Sequence, residues 1–413
     1  MGIFSRKKPA AQDALSTSRG SIFWSGPATS GAFVSETTAL QTAAVYSCVR
    51  VISESIASLP LHVYRYENDG TRLVPEHHLF NVLHNAPNPE MTSFVFRETL
   101  MSHLLLYGNA YAQIIRDGGG QVLALYPLLP NKMDVTRGED GKIRYTYWRD
   151  MDESRPREKS GGIMFRRDEV LHIPGLSFDG LVGYSPIYLA KNAVGMALAT
   201  EEYGAAFFAN GANPGGVLEH TQAVKNPETL RNLWDTLYRG AKNTGKIAVL
   251  EDGLKFHSVS IPPEQAQFLE TRKFQLNEIA RIFRVPPHMI GDLEKSSFSN
   301  IEQQSLEFVK YTLGPWVTRW EQAMQQALVL PSEQSRIAVK FNLDGLLRGD
   351  YETRMKGYAI GVQNGFMSIN DCRRLENMNP VAAADGGDEY MVNGNMISVR
   401  TVHQKAERGL VDE

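Results

Sequence analysis

Two adjacent prolines, Pro286 and Pro287, stop one helical stretch of this chain, and a second begins about a dozen residues later: VPPHMIGDLEKSSFSNIEQQSLEFVKYTLGPW. Proline lacks an N–H and its ring clashes with the carbonyl four residues back, so no continuous helix passes this point. Between the two helices lie His288, Asp292, Glu294 and Lys295. That content is shared by a catalytic or metal site, a DNA-reading turn and a mechanical loop.

The flanks are better defined. Upstream, PPEQAQFLETRKFQLNEIARIFR reads as a helix halted by Pro286. Downstream, Ser299 and Glu302 form the S-x-x-E pattern of a capping box. Leu306, Val309, Leu313, Trp316, Trp320, Met324 and Ala327 then recur on one face to about Val329, roughly 45 Å of helix at 1.5 Å per residue. Gly314 and Pro315 fall near its middle and predict a kink.

A second long helical stretch, YSPIYLAKNAVGMALATEEYGAAFFANGANPGG, starts behind Ser185 as cap and Pro186 as first helical residue, and ends at Gly211. Its many Ala and Gly residues, among them Ala190, Ala193, Gly195, Ala197 and Ala199, predict a closely packed neighbour. Between this helix and the one that Pro286 stops lies a small α/β insert, with strands at GGVLEH, KIAVLED and KFHSVSI and a helix opened by Asn226-Pro227-Glu228. Two helices bracketing an insert describe a stalk with a tip.

Ahead of the stalk, a helix from about Thr38 to Leu59 leads into strands and turns. LHVYRY and TRLV flank ENDG, NAYAQIIR and QVLALYPL flank DGGG, and MDVTR and KIRYTYWR flank GEDG. Asp/Asn-Gly between β-rich runs is a hairpin signal. One helix, about Ser93 to Tyr107, interrupts them. After the long kinked helix come a strand at RIAVKFNL and short helices at YETRMKGYAIGVQNG and SINDCRRLENM. The Ser/Ala/Gly-rich residues 1–34 read as a mobile arm and 381–413 as a trailing tail.

Composition narrows the function. A chain of 413 residues exceeds one ordinary core, so about two to four structural units are expected. A net charge of −3 argues against a surface built to wrap nucleic acid. Cys48 and Cys372 are far apart, in amphipathic helical contexts, and make neither a disulfide framework nor a metal cluster. The N-terminus MGIFSRKKPA lacks the apolar core of a signal peptide, and Arg6 breaks the myristoylation pattern. No apolar run approaches the ~18 residues of a membrane span. A soluble protein working inside a cell, without a membrane partner, is the expectation.

Several motifs resemble sites without their chemistry. GAKNTGKI at 240–247 has Ile247 where a P-loop needs Ser or Thr, and stands between helix and strand in the wrong order. DGGGQ at 117–121 is a hairpin turn, and the ten histidines show no ligand spacing. No nucleophile signature is present. NEIARIFRVPPHMIGD superficially fits a helix-turn-helix, yet HMIGDLEKSSFS is a poor recognition helix with few base-reading side chains. A helix-turn-helix DNA-binding regulator and, further off, a metal-dependent hydrolase stand as alternatives.

FLETRKFQLNEIARIFRVPPHMIGDLEKSSFSNIEQQSLEFVKYTLGPW closely resembles the signature region of tailed-phage portal proteins, the head-to-tail connectors, of the long-tailed siphophage type. AVYSCVRVISESIASLPLHVY, LLLYGNAYAQI, LYPLLPNKMDV, EVLHI and GYSPI upstream, and GDYETRMKGYAIGVQNGFMSINDCRRLENMNP downstream, resemble that family's landmarks in its order, over roughly residues 38–380. The resemblance implies an α+β portal fold: a strand-rich wing at 35–184, stem helices at 185–212 and 261–284, and a clip at 213–260. The tunnel loop is then 285–298, the spine helix and strand 299–345, and the crown 346–380.

It further implies a non-enzymatic subunit without cofactor, usually one of twelve in a ring at a capsid vertex, assembled in the host bacterial cytoplasm. Its partners would be other copies of itself, double-stranded DNA without sequence preference, the terminase large subunit, the major capsid protein or scaffold, and a head-tail adaptor. Asp292, Glu294, Lys295, Ser296, Ser297 and Phe298 would face the DNA, and Arg239, Lys242, Asn243 and Lys246 would meet motor and neck.

Overall fold

The computed structural model describes residues 26–67, 70–148, 161–209, 216–220, 226–238, 250, 253–258, 265–293, 298–343, 351–376 and 378–391. The chain divides into two compact units, 1–342 and 343–413.

The first unit opens with a two-stranded hairpin, β1 (Gly26–Pro27) and β2 (Phe33–Val34). The expected arm is therefore structured in its last nine residues. Ala28 is buried against the helical run after Ser185, where a Cβ on Gly195 would come within 2.2 Å of the Ala28 Cβ. At Gly195 the close neighbour predicted by small residues is the chain's own hairpin.

The helix expected from Thr38 is two pieces. Ser35 caps α1 (Glu36–Ala39) through a reciprocal box with Thr38, and α2 (Ala43–Ser58) restarts behind Thr42. Val45, Cys48, Val49, Ile52 and Ile56 of α2 are buried, spaced three or four apart as an apolar helix face requires.

All three expected hairpins form. β3 (Leu61–Glu67) pairs with β4 (Gly70–Leu73). A short helix, α3 (His78–Phe80), and α4 (Ser93–Tyr107) precede β5 (Asn109–Arg116), which pairs with β6 (Val122–Leu128). β7 (Met133–Arg137) pairs with β8 (Ile143–Tyr147). β9 (Ile163–Arg166) extends that sheet with Phe165 opposite Tyr145, and β10 (Val170–Pro174) adds to β5 with Leu171 opposite Ala112. All these pairings are antiparallel. Tyr111, Leu128, Met133, Val135, Tyr145, Phe165, Val170 and Val182 form one buried cluster between two of the sheets.

Two sequence landmarks far apart in the chain meet where the backbone crosses itself. Gly108 ends α4 with φ +73, and its carbonyl accepts the Gly175 N–H at 2.8 Å. A Cβ on Gly108 would lie 2.0 Å from the Tyr184 carbonyl oxygen, and one on Gly183 would lie 2.1 Å from the Gly108 oxygen. Only glycine permits that approach. Asn109 closes the crossing, its amide accepting from Gly183 N–H at 2.8 Å and donating to Gly183 O at 2.7 Å.

Ser185 caps α5 (Pro186–Leu189), accepting from Tyr188 N–H, and also donates to Leu106 O. The expected single helix breaks at Ala190 before α6 (Lys191–Ala209). The insert contains β11 (Gly216–Glu219), α7 (Pro227–Tyr238) and β12 (Lys255–Ser258), with β11 and β12 antiparallel. Of the strand expected at KIAVLED only Leu250 is described, and it is not in a strand; the rest lies outside the described residues. α8 (Gln265–Phe283) returns and packs on α6 and α2. Its inner face buries Gln275, Ile279, Ala280 and Phe283.

The long helical run is α9 (Phe298–Glu307), a wide-turned π segment (Phe308–Leu313) and α10 (Gly314–Leu328). Val317, Trp320, Met324 and Leu328 of α10 are buried, and α10 packs on β10 and on β13 (Ile337–Phe341). β13 pairs with β3, Val339 opposite Val63, so the strand after the long helix completes a sheet begun near residue 61.

In the second unit, α11 (Tyr351–Gln363) and α12 (Ile369–Leu375) are joined by an Arg354–Glu376 ion pair at 2.8 Å and by Tyr358 Oη donating to Glu376. The tail expected from 381 does not begin there. Asn370 accepts from Val381 N–H and donates to Val381 O and Asp388, which holds 381–388 against α12.

Candidate functional site

The segment between α8 and α9 is built from a helix end outward. Arg284 adopts the left-handed conformation at φ +57, a position usually given to glycine after a helix. Val285 N–H then reaches back to Ala280 O at 2.9 Å, and Val285 itself is buried. The Arg284 carbonyl, orphaned by the helix end, accepts from Thr312 Oγ1 at 2.6 Å. The turn is therefore tied to the π segment of the long helix from its first residue.

Pro286 leads into one 3₁₀ turn, Pro287–Ile290, closed by Gly291 at φ +94. Asp292 N–H donates to Pro287 O at 3.0 Å, and Asp292 Oδ2 accepts from Asn277 Nδ2 at 3.2 Å. His288 Nδ1 lies 2.9 Å from Gln304 Oε1 on α9. Three side-chain bonds, to α8, α9 and the π segment, hold residues 284–292. Leu293 is exposed beyond them.

This geometry disposes of the recognition helix. After the prolines comes a four-residue turn ended by a left-handed glycine, and the next helix starts only at Phe298. The histidine is spent on a neighbouring glutamine. Among the described residues no three His, Cys, Asp or Glu side chains are grouped to hold a metal ion. No helix there is long and apolar enough to cross a membrane.

The predicted loop residues are distributed unevenly. Asp292 is turned back onto α8 by Asn277. Glu294, Lys295, Ser296 and Ser297 lie outside the described residues, as do Arg239, Lys242, Asn243 and Lys246 of the insert. Phe298 is the first residue of α9 and not part of the loop. A helix that already includes Phe298 places Ser299 among its first N–H donors, so Ser299 is not the cap ahead of them.

Gly314 and Pro315 stand at the join between π segment and α10. Gly314 N–H reaches Val309 O, five residues back, and its φ of −53 is ordinary helix. A wide turn just ahead of a proline is where a helix accommodates the missing N–H and the ring. The anchors Asn277, Gln304 and Thr312 carried no signal in the sequence, since each is defined by a partner 15, 16 or 28 residues away.

A histidine-centred network joins β5, β8 and β10. Arg167 donates to Tyr145 Oη at 2.7 Å, Tyr145 lies 3.3 Å from His172 Nδ1, and His172 Nε2 lies 3.1 Å from Asn109 Oδ1. Complete burial, reinforced by Arg167, pushes His172 down to about 3. A neutral imidazole that donates once and accepts once satisfies both neighbours. The DGGGQ turn is equally local, with Asp117 Oδ1 accepting from Gly119 and Gln121 N–H at 2.9 and 2.8 Å.

Fold and segment together define a structural subunit: antiparallel sheets carrying a two-helix stalk, with a braced turn at the base of a long helix. Residues 43–377 match the family described as Phage portal protein, and the chain belongs to that family. It is 36% identical to the portal protein of Enterobacteria phage HK97 over 87% of this chain and 83% of that one. It is 37% identical to the probable portal protein of Streptomyces phage phiC31, over 89% and 81%.

Among solved structures, the neck of a native gene transfer agent particle, computed with C12 symmetry, aligns with TM-score 0.56 at 25% identity, covering 84% of this chain and 94% of that one. An HK97-family portal protein from Corynebacterium diphtheriae shares the fold, with TM-score 0.55 at 18% identity over 78% and 98%. The chain is thus a structural, non-enzymatic virion protein of the head-tail connector type, and the regulator and hydrolase readings fall away.

Proposed function

We propose that copies of this chain close into a ring, with twelve the favoured number, forming the conduit through which double-stranded DNA is packaged and ejected. The supporting observation is the likeness to a subunit in the gene transfer agent neck computed with C12 symmetry, which extends over most of both chains. α6 and α8 with the insert between them are the stem and clip of this reading. The clip at 213–260, with Arg239, Lys242, Asn243 and Lys246, receives the terminase large subunit and later the head-tail adaptor. The wing meets capsid protein or scaffold, and 346–380 is the crown. Assembly precedes incorporation into the capsid, in the host cytoplasm.

The segment 285–298 serves as the tunnel loop. Its root is braced at Thr312, Asn277 and Gln304, which suits a part that must keep its place while DNA slides past. The mixture of Asp292, Glu294 and Lys295 balances attraction against friction, since every firm phosphate contact adds affinity. Native mass spectrometry of the purified protein is expected to show closed rings, and only monomers or dimers under all assembly conditions would overturn the reading. Lys295→Ala is expected to leave rings intact while changing packaging efficiency. Charge reversal at Arg239, Lys242 and Lys246 is expected to weaken motor docking while rings still form.

A further inference from the structure

A cavity of about 500 Å³ opens where the start of the stem, the end of α8 and the long helix converge. Leu105, Leu176, Leu189, Ile282, Tyr311 and Trp316 are among its lining residues. The side chains at its mouth are unusually exposed for their type: Leu176 68%, Leu189 59% and Tyr311 55%, with Phe178 at 92% on the adjoining loop. Apolar side chains this exposed around one groove form the kind of surface that marks an interaction site.

The groove is preformed. Thr312 fastens the α8 end to the π segment at 2.6 Å, and Arg319 Nη1 fastens the loop after β10 by donating to Gly175 O at 2.9 Å. The glycine crossing at Gly108 and Gly175 and the two prolines Pro186 and Pro315 leave its walls little freedom. The walls are therefore held apart without an occupant.

We infer that this groove is one half of a subunit–subunit seam, filled by a different face of a second copy of the chain. This rests on the ring reading above. Cyclic closure requires a heterologous contact, in which each copy offers two unlike surfaces. The groove suits that role and not a self-pairing one, because its charged lining groups are Arg284 and Arg319, with no carboxylate among the described residues that line it. Two such grooves face to face would oppose like charges across an apolar gap. The occupant is an apolar ridge with an acidic edge, on a chain whose acidic residues number 46 against 43 Lys and Arg.

The test uses the full chain carrying Leu189→Asp or Leu176→Asp, with Leu123→Asp as control, since Leu123 is exposed on β6 outside the groove. Native mass spectrometry follows assembly and thermal unfolding follows the fold. Each groove variant is expected to raise the protein concentration needed for assembly at least about tenfold, as loss of a central apolar contact does, while Leu123→Asp assembles like the parent. Assembly of both groove variants at the parent concentration would overturn the inference and leave the ring reading standing. Absence of rings from the parent itself would remove the ring reading. A photo-crosslinking residue at position 189, in rings mixed from ¹⁴N and ¹⁵N copies, gives a second readout that tolerates poorly folding Asp variants. Mixed-isotope crosslinked peptides are expected, and crosslinks confined to one copy would overturn the seam.

Discussion

The backbone crossing at Gly108 and the turn after Pro286 both tie distant parts of the chain together, by opposite means. At the crossing, glycines let the backbones touch, with Gly108, Gly175 and Gly183 in direct carbonyl contact and Asn109 sealing the join. At the turn, backbones stay apart and three side chains, from Thr312, Asn277 and His288, reach across. The first kind of joint has no slack, because a carbonyl cannot move aside without moving its strand. The second gives one bond at a time. Under the proposed function, a body that anchors the subunit and a loop that meets translocating DNA call for these two different joints.

Gly108→Ala attacks the rigid joint and is expected to cost most. The new Cβ meets the Tyr184 carbonyl at a site with φ +73, combining a backbone clash with left-handed strain. More than about 4 kcal/mol of stability should be lost, read by denaturant unfolding. Trp320→Ala follows, at about 3–5 kcal/mol, since this fully buried indole packs edge-on to Phe341 and seats α10 on the sheets.

The third prediction turns on pH. His172 is neutral in the fold, its value pushed down to about 3, whereas in the unfolded chain it titrates near 6.5. Between those values the unfolded state binds the extra proton, so stability falls as pH falls, with a slope of up to about 1.4 kcal/mol per pH unit. His103, pushed down to about 4 by burial, adds a parallel loss. His172→Gln should flatten the pH dependence of unfolding while lowering stability at neutral pH.

Asn277→Ala should be mildest, about 0.5–1.5 kcal/mol or less, because it removes one bond to Asp292 at a half-buried site. Its signature is local: faster amide exchange at 287–293 with the sheets unchanged. A global loss as large as that of Gly108→Ala would erase the contrast between the two joints.

Much of the body was legible because its determinants are local. Asn/Asp-Gly turns between β-rich runs placed three hairpins, and the spacing of Val45, Val49, Ile52 and Ile56 marked a helix face. The candidate site was legible only as a break. Pro286 stops α8 as its chemistry demands, but whether Asp292 points outward or back depends on Asn277, fifteen residues earlier and one helix away. The S-x-x-E pattern at Ser299 assigns Phe298 to the loop, because a cap at Ser299 would start the helix two residues later than it does. The small residues of α6 predicted a close neighbour correctly, yet no pattern could say that at Gly195 it is the hairpin at 26–34.

The sequence by itself determined where helices must stop, where hairpins turn, and, through landmarks spread over most of its length, the family. These follow from torsional limits and side-chain periods that act within a few residues. Tertiary structure alone decided that YGN and GYSPI share one crossing, that the strand at Ile337–Phe341 completes a sheet begun at Leu61, and that the turn after Pro286 is braced at its root. Those outcomes depend on which distant surfaces exclude water from each other, a property of the packed chain that no local pattern encodes.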